Sequence, residues 1–247
     1  MKIAVISDVH ANFVALQRVM EQIDIISADA IWCLGDVAGY GPHPHACIDL
    51  IRERTDVCLA GNHDLAILGR IPIENFNPIA QQAILWHRQH IDAQNKEWLQ
   101  SLQPRAEVDG FTLAHASPRH PVWEYVNDEE VAIENYHAFN TPICLIGHSH
   151  HALAWQLHSQ AGQVQAKLHL GKPDKSLFLT REDKWMLNPG SVGQPRDRDP
   201  RASFAILDTK TNTWTWHRVA YDARQVEKDI RAAGLPEVLG ERLYWGK

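Results

Sequence analysis

Cysteine is sparse in this chain: four residues in 247, at positions 33, 47, 58 and 144, with no CxxC pair. Cys33, Cys58 and Cys144 lie in apolar runs, where a reduced thiol packs as a small hydrophobe, so a reducing cytosolic setting is expected. Excess positive charge is also missing. A formal charge of −6 gives no electrostatic case for nucleic acid as an obligatory partner. No apolar run approaches the length needed to cross a bilayer, and the N-terminal MKIAVISD is too short for a signal-peptide core and has no small-residue cleavage site. A soluble cytoplasmic protein without a membrane partner is expected. Internal repeats, low-complexity tracts and Pro/Gly/Ser-rich linkers are absent too, so residues 1–247 are expected to form one domain. Oligomeric state leaves no mark in the sequence.

Histidine, by contrast, is abundant: 15 residues, three of them within LIGHSHH. Short apolar runs alternate with helical periodicity over the first two-thirds. KIAVISD, AIWCLGD, DVCLAGN, FTLAHA and PICLIGH read as strands. Helices are expected after Asn12, over HACIDLIRER, over Pro78–Ile91 and Lys96–Leu102, and over DEEVAIENYHAF. This alternation predicts an α/β fold, largely parallel in that half. Beyond His151 the texture becomes strand-rich, with SFAILD and TWTWHRVAYD as a hairpin and ARQVEKDIRAA as a closing helix.

The strand ends carry the chemistry. Five predicted strands run into SDVH, GDVAGYG, GNHD, HASP and GHSH, each delivering Asp, Asn or His to the edge where open α/β sheets bind ligands. One such motif alone is more often turn chemistry; five in phase are not. Extended backbone points residues two apart the same way, so Asp8 with His10, and His148 with His150, are expected to face one site, with His151 turned elsewhere. The inventory is Asp8, His10, Asp36, Asn62, His115, His148 and His150. Oxygen and imidazole donors without thiolate suit Mn, Fe, Zn, Co or Ni rather than Cu(I), and the imidazole count disfavours calcium. Seven donors exceed the needs of one ion, so two ions sharing a carboxylate are expected, a device suited to phosphate-ester hydrolysis.

SDVH, GDVAG, GNHD, the histidine of LAHASP and GHSH, in this order, resemble the calcineurin-like metallophosphoesterases. NPGSVGQPRDRDPRASFAI resembles the tail of their small prokaryotic phosphodiesterase/phosphatase branch. The resemblance implies a four-layer α-β-β-α sandwich of two mixed sheets flanked by helices, with the metal site at the carboxyl ends of strands. It implies that Asp8, His10 and His150 hold one ion, that Asn62, His115 and His148 hold the other, and that Asp36 bridges both. The ions would be divalent or mixed-valence, Mn first among the candidates. His63 would contact phosphate and protonate the leaving oxygen, with Asp64 either supporting its protonation or capping at the surface. The implied reaction is hydrolysis of a small phosphodiester or phosphomonoester by a metal-bridging hydroxide. A Ser/Thr-type phosphoprotein phosphatase and a non-catalytic metal-binding scaffold are the alternatives.

Three departures bear on substrate. The protein phosphatases carry an arginine after the GD motif, and GDVAGYGPHP has none. Ala116 stands where the prokaryotic branch commonly has glycine, and His43 and His120 stand where it has acidic residues, which places both histidines at the expected rim. Arg196 and Arg198, in the self-neutralising run QPRDRDPR, are candidate phosphate ligands together with Asn62. The tryptophans and the histidines outside the motifs, among them His87, are expected to be packing or surface residues.

Overall fold

The structure, a computed structural model, describes all 247 residues. Strand β1 (Lys2–Ile6) leads through Asn12 into helix α1 (Phe13–Ile26). The Asn12 side chain accepts a hydrogen bond from the Ala15 N–H, which satisfies one of the amides that a helix start leaves unpaired. Then come β2 (Ala30–Cys33), α2 (Pro44–Arg54), the two-residue β3 (Val57–Cys58) and a short helix α3 (Asn62–Ile67). Helices α4 (Pro78–His90) and α5 (Ala93–Ser101) precede a hairpin of β4 (Arg105–Val108) and β5 (Phe111–Ala114). Helix α6 (Glu129–Glu134) is followed by strands β6 (Ile143–Ile146), β7 (Ala152–Gln160), β8 (Gln163–Leu170), β9 (Ser176–Phe178), β10 (Lys184–Pro189), β11 (Ala202–Asp208) and β12 (Thr213–Val219). Helices α7 (Ala223–Ala232) and α8 (Val238–Glu241) close the chain.

The strands form two six-stranded mixed sheets, ordered β3-β2-β1-β11-β12-β9 and β4-β5-β6-β10-β7-β8. Period-two alternation divides each central strand between two cores. Ile3 and Val5 of β1 meet Leu145 of β6 and Trp185 and Leu187 of β10 between the sheets. Ala4 and Ile6 face the opposite way, against Leu16, Met20 and Ile23 of α1. On the far side of the second sheet, Ile146, Trp155 and Met186 pack with Ala132 of α6. The result is the expected α-β-β-α sandwich.

Three local features go beyond the strand–helix alternation read from the sequence. Strand β4 pairs antiparallel with β5 across Asp109-Gly110, both at positive φ, which is the geometry of a two-residue hairpin turn. The run DVCLAGN is a strand for two residues only, because Gly61 ends it and α3 begins at Asn62. The site-bearing strands also do not share one sheet. Strands β1, β2 and β3 belong to the first sheet and β5 and β6 to the second, so the site lies where the ends of both sheets meet.

Candidate metal centre

All seven expected ligands converge and are almost wholly buried. Their donor atoms form two groups: Asp8, His10, Asp36 and His150 in one, and Asp36, His115 and His148 in the other. Asp36 belongs to both, its Oδ2 lying 3.6 Å from His10 Nε2 and 3.6 Å from His115 Nε2. Asn62 joins the second group, with Oδ1 3.1 Å from His115 Nε2. His148 and His150 fall in different groups. His151 falls in neither and turns its Nδ1 to the Ser149 carbonyl at 2.7 Å.

Strand alternation does not bring these residues together. Asp8, His10, Asp36, His148 and His150 all adopt left-handed backbone, with φ between 49° and 62°. For a residue with a Cβ that conformation costs on the order of 1–2 kcal/mol. Such strain persists only where the surroundings enforce it, and it gathers at functional sites. The local cause is visible in the backbone bonds. The Asp8 N–H donates to the Gly35 carbonyl at 3.0 Å and the His10 N–H to the Asp36 carbonyl at 2.9 Å, which folds the two motifs against each other. Two glycines permit the contact. A Cβ on Gly61 would stand 1.9 Å from Asp36 Oδ1, and one on Gly147 would stand 2.1 Å from Ser7 Oγ.

The hydrogen bonds fix the imidazole tautomers. His115 Nδ1 lies 2.9 Å from the Leu34 carbonyl and His150 Nδ1 lies 2.6 Å from the Gln194 carbonyl. A carbonyl only accepts, so each Nδ1 carries the proton and each Nε2 turns its lone pair inward. His115 Nε2 thereby faces the Asn62 oxygen, and His150 Nε2 faces Asp8 Oδ1 at 3.4 Å. Opposed lone pairs with no proton between them repel. Asp8 Oδ1 and His148 Nε2 are buried without any hydrogen-bond partner. A divalent cation in each group would turn both defects into bonds, so the residues present fit the ions.

Electrostatics point the same way. Burial pushes the Asp8 carboxyl up to about 7. Burial, with Asp64 adding to it, also holds Asp36 well above the usual carboxylate range. Burial pushes His10, His148 and His150 well below theirs. A pocket this dry disfavours net charge on its own donors, and a bound cation inverts that preference.

His63 occupies the second position of α3. Its backbone N–H donates to Asp36 Oδ1 at 2.8 Å, and its ring packs against Tyr40 and Phe76 with centroids 4.4 and 5.0 Å away. Asp64 caps α3 from a buried position rather than at the surface. Fully buried, it accepts hydrogen bonds from the Val37, Ala38 and Gly61 amides at 3.0–3.2 Å, tying the GDVA turn to α3.

A cleft of about 200 Å³ opens over Asp36, Asn62, His63, His148 and His150. Arg196 lines it; Arg198 is exposed and does not, its backbone N–H instead donating to the Gly246 carbonyl at 3.0 Å. His43 and His120 do not line it either. His43 occupies the N-cap position of α2 without a side-chain capping bond and stands 3.4 Å from Asp229, and His120 is exposed. Sequence patterns miss the other lining residues, among them Tyr40, Trp123, Tyr125 and Arg242. Tyr40 has a signal, being the one aromatic in the GDVAGYG turn, whereas Arg242 lies some ninety residues past the last ligand in no motif. His87 departs from its expected role in another way: it is fully buried with neither ring nitrogen hydrogen-bonded.

Residues 1–212 match the calcineurin-like phosphoesterase superfamily domain, and the chain belongs to that family. It is 40% identical to a metallophosphoesterase from Sphaerobacter thermophilus whose crystal structure superposes with a TM-score of 0.88, covering 100% of this chain and 99% of that one. It is 38% identical to the uncharacterized protein MJ0912 of Methanocaldococcus jannaschii over 99% of this chain and 98% of the relative. A more distant relative, the symmetrical bis(5'-nucleosyl)-tetraphosphatase of Haemophilus ducreyi, is 27% identical over 49% of this chain and 46% of its own length.

The raised carboxyl of Asp8 has two consequences. The metal-free fold is stabilised most below the ordinary carboxylate range, near pH 4, and loses that contribution as pH rises through about 7. A cation must also displace the Asp8 proton below that point. Apparent Mn²⁺ affinity, measured by calorimetry, is therefore expected to rise about tenfold or more per pH unit from 5.5 to 7. Affinity independent of pH over that range would contradict the assignment.

Proposed function

We propose that this chain is a metal-dependent phosphoesterase that hydrolyses small phosphodiesters or phosphomonoesters. One observation carries the proposal: Asp36 Oδ2 stands 3.6 Å from an imidazole nitrogen of each donor group, the placement a carboxylate shared by two ions requires. Asp8, His10 and His150 would hold one ion, Asn62, His115 and His148 the second, and Asp36 would bridge. Bound there, divalent cations supply Lewis-acid stabilisation of phosphoryl charge and acidify a water toward neutral pH. Manganese is the first candidate for a site of carboxylates, an amide and imidazoles.

The chain's own groups do the rest. Arg196 faces the cleft from the residue whose backbone N–H donates to the His150 carbonyl at 3.3 Å, so its charge is held beside the donor groups. Its guanidinium bonds Gln194 Oε1 at 2.9 Å, which fixes a donor fork for phosphoryl oxygen. His63 protonates the departing oxygen. Burial, with Arg196 adding to it, holds that imidazole well below its usual range, so the approaching phosphoryl anion is what lets it take up the proton. Arg196, with Nη2 3.5 Å from the Tyr40 hydroxyl of the GDVAGYG turn, would supply the arginine that the GD motif lacks. Direct comparison of phosphopeptides with small esters separates the two substrate readings.

The test is hydrolysis of a phosphoester panel, including dinucleoside polyphosphates, after chelation and after each metal is restored. Chelation is expected to abolish turnover and Mn²⁺ to restore it; full activity in chelator would contradict the proposal. In His63→Ala, kcat should fall about 10²- to 10⁴-fold on esters with alkyl leaving groups and far less on p-nitrophenyl esters, whose leaving group needs no proton. An equal loss on both would remove His63 from the acid role.

A further inference from the structure

The C-terminal segment brings a charged residue to the cleft that the metal chemistry does not use. Arg242 opens a short 3₁₀ turn, Arg242–Tyr244, directly after α8. Leu239 and Leu243 anchor the segment in the helix-side core, and the Tyr244 hydroxyl donates to Glu227 at 2.6 Å. The guanidinium carbon of Arg242 lies 4.4 Å from the centre of the Tyr40 ring, and its Nε and Nη2 are buried with no hydrogen-bond partner. No carboxylate forms an ion pair with Arg242 or with Arg196, although most arginines elsewhere in the chain have one. Leaving buried guanidinium donors unmatched is costly unless something else accepts from them.

Position narrows what that partner is. The Tyr40 ring lies between the donor groups and Arg242, with the His10 ring 4.6 Å away and the Arg242 guanidinium 4.4 Å away. Arg242 therefore stands one aromatic ring beyond the ligands, out of the layer in which the reacting phosphoryl group would sit. Arg196 is closer in, with Nη2 3.5 Å from the Tyr40 hydroxyl. We propose that Arg242 and Arg196, positioned around Tyr40, form an anion subsite for a second phosphoryl group adjacent to the scissile one. The substrate class is then a phosphoester that carries a second, neighbouring phosphoryl group, as at the end of a phosphoanhydride chain, in preference to an ester with a single phosphate. A cleft of about 200 Å³ accommodates that head group. This rests on the phosphoesterase proposal and adds to it a substrate class and one residue.

The test compares orthophosphate with pyrophosphate on Mn²⁺-loaded protein, with Mn²⁺ in excess of ligand, by calorimetry and as inhibitors of bis-p-nitrophenyl phosphate hydrolysis. Wild type is expected to bind pyrophosphate at least tenfold more tightly than orthophosphate. Arg242→Met keeps the apolar stem over Tyr40 and is expected to reduce that ratio ten- to a hundredfold; Arg242→Lys should restore part of it. Equal wild-type affinities, or an unchanged ratio in Arg242→Met, would overturn the subsite. Absence of hydrolysis in wild type would sink the phosphoesterase proposal while leaving the calorimetric ratio to decide the subsite.

Discussion

The structure turns on one buried carboxylate. Asp36 sits at the end of β2 with an imidazole nitrogen 3.6 Å from Oδ2 on each side and the His63 amide on Oδ1. Around it, a second carboxylate, an amide oxygen and four imidazoles crowd a space with almost no water contact. Without cations this arrangement holds Asp8 and Asp36 toward the protonated form and keeps His10, His148 and His150 neutral. A cation in each donor group would resolve the conflict among its lone pairs. Much of the surrounding design, from the left-handed turns to the histidine-orienting carbonyls, serves to hold a geometry that is unfavourable by itself.

The two-sheet sandwich is what makes such crowding feasible. Parallel strands β1 and β2 deliver Asp8 and Asp36, and parallel strands β5 and β6 deliver His115, His148 and His150 from the opposing sheet. Polar bonds then lock the sheets together at that end. The His148 N–H donates to Asp8 Oδ2, His115 Nδ1 to the Leu34 carbonyl, and the Ser191 hydroxyl to the Asp8 carbonyl. Deeper between the sheets the same layers are held by Trp185, Trp214 and Leu145, with no polar partner needed for most of that surface. Rigidity at the site and burial in the core are thus two ends of one interface.

The sequence discloses the donor set more readily than the means of assembling it. Five motifs name the seven donors because each is compact and lies beside an apolar run. The left-handed conformations behind their convergence are invisible to any two-residue alternation rule, which assumes extended backbone. Helix α3 escapes notice because six residues are too few to display a helical period. The Asp109-Gly110 pair does announce the β4–β5 turn, and a strict strand–helix alternation overrides it. Arg198 attracts attention through its basic neighbourhood, whereas the cleft takes Arg196 and Arg242. Arg242 was not legible at all: it is brought in by the packing of Leu239 and Leu243, a tertiary fact that only the structure supplies.

Crystals grown with Mn²⁺, examined by anomalous diffraction at the manganese edge, test the central claim most directly. The account predicts two peaks: one among Asp8, His10 and His150, the other among Asn62, His115 and His148, with the Asp36 carboxylate touching both. A single peak, or a second ion coordinated without Asp36, would contradict it.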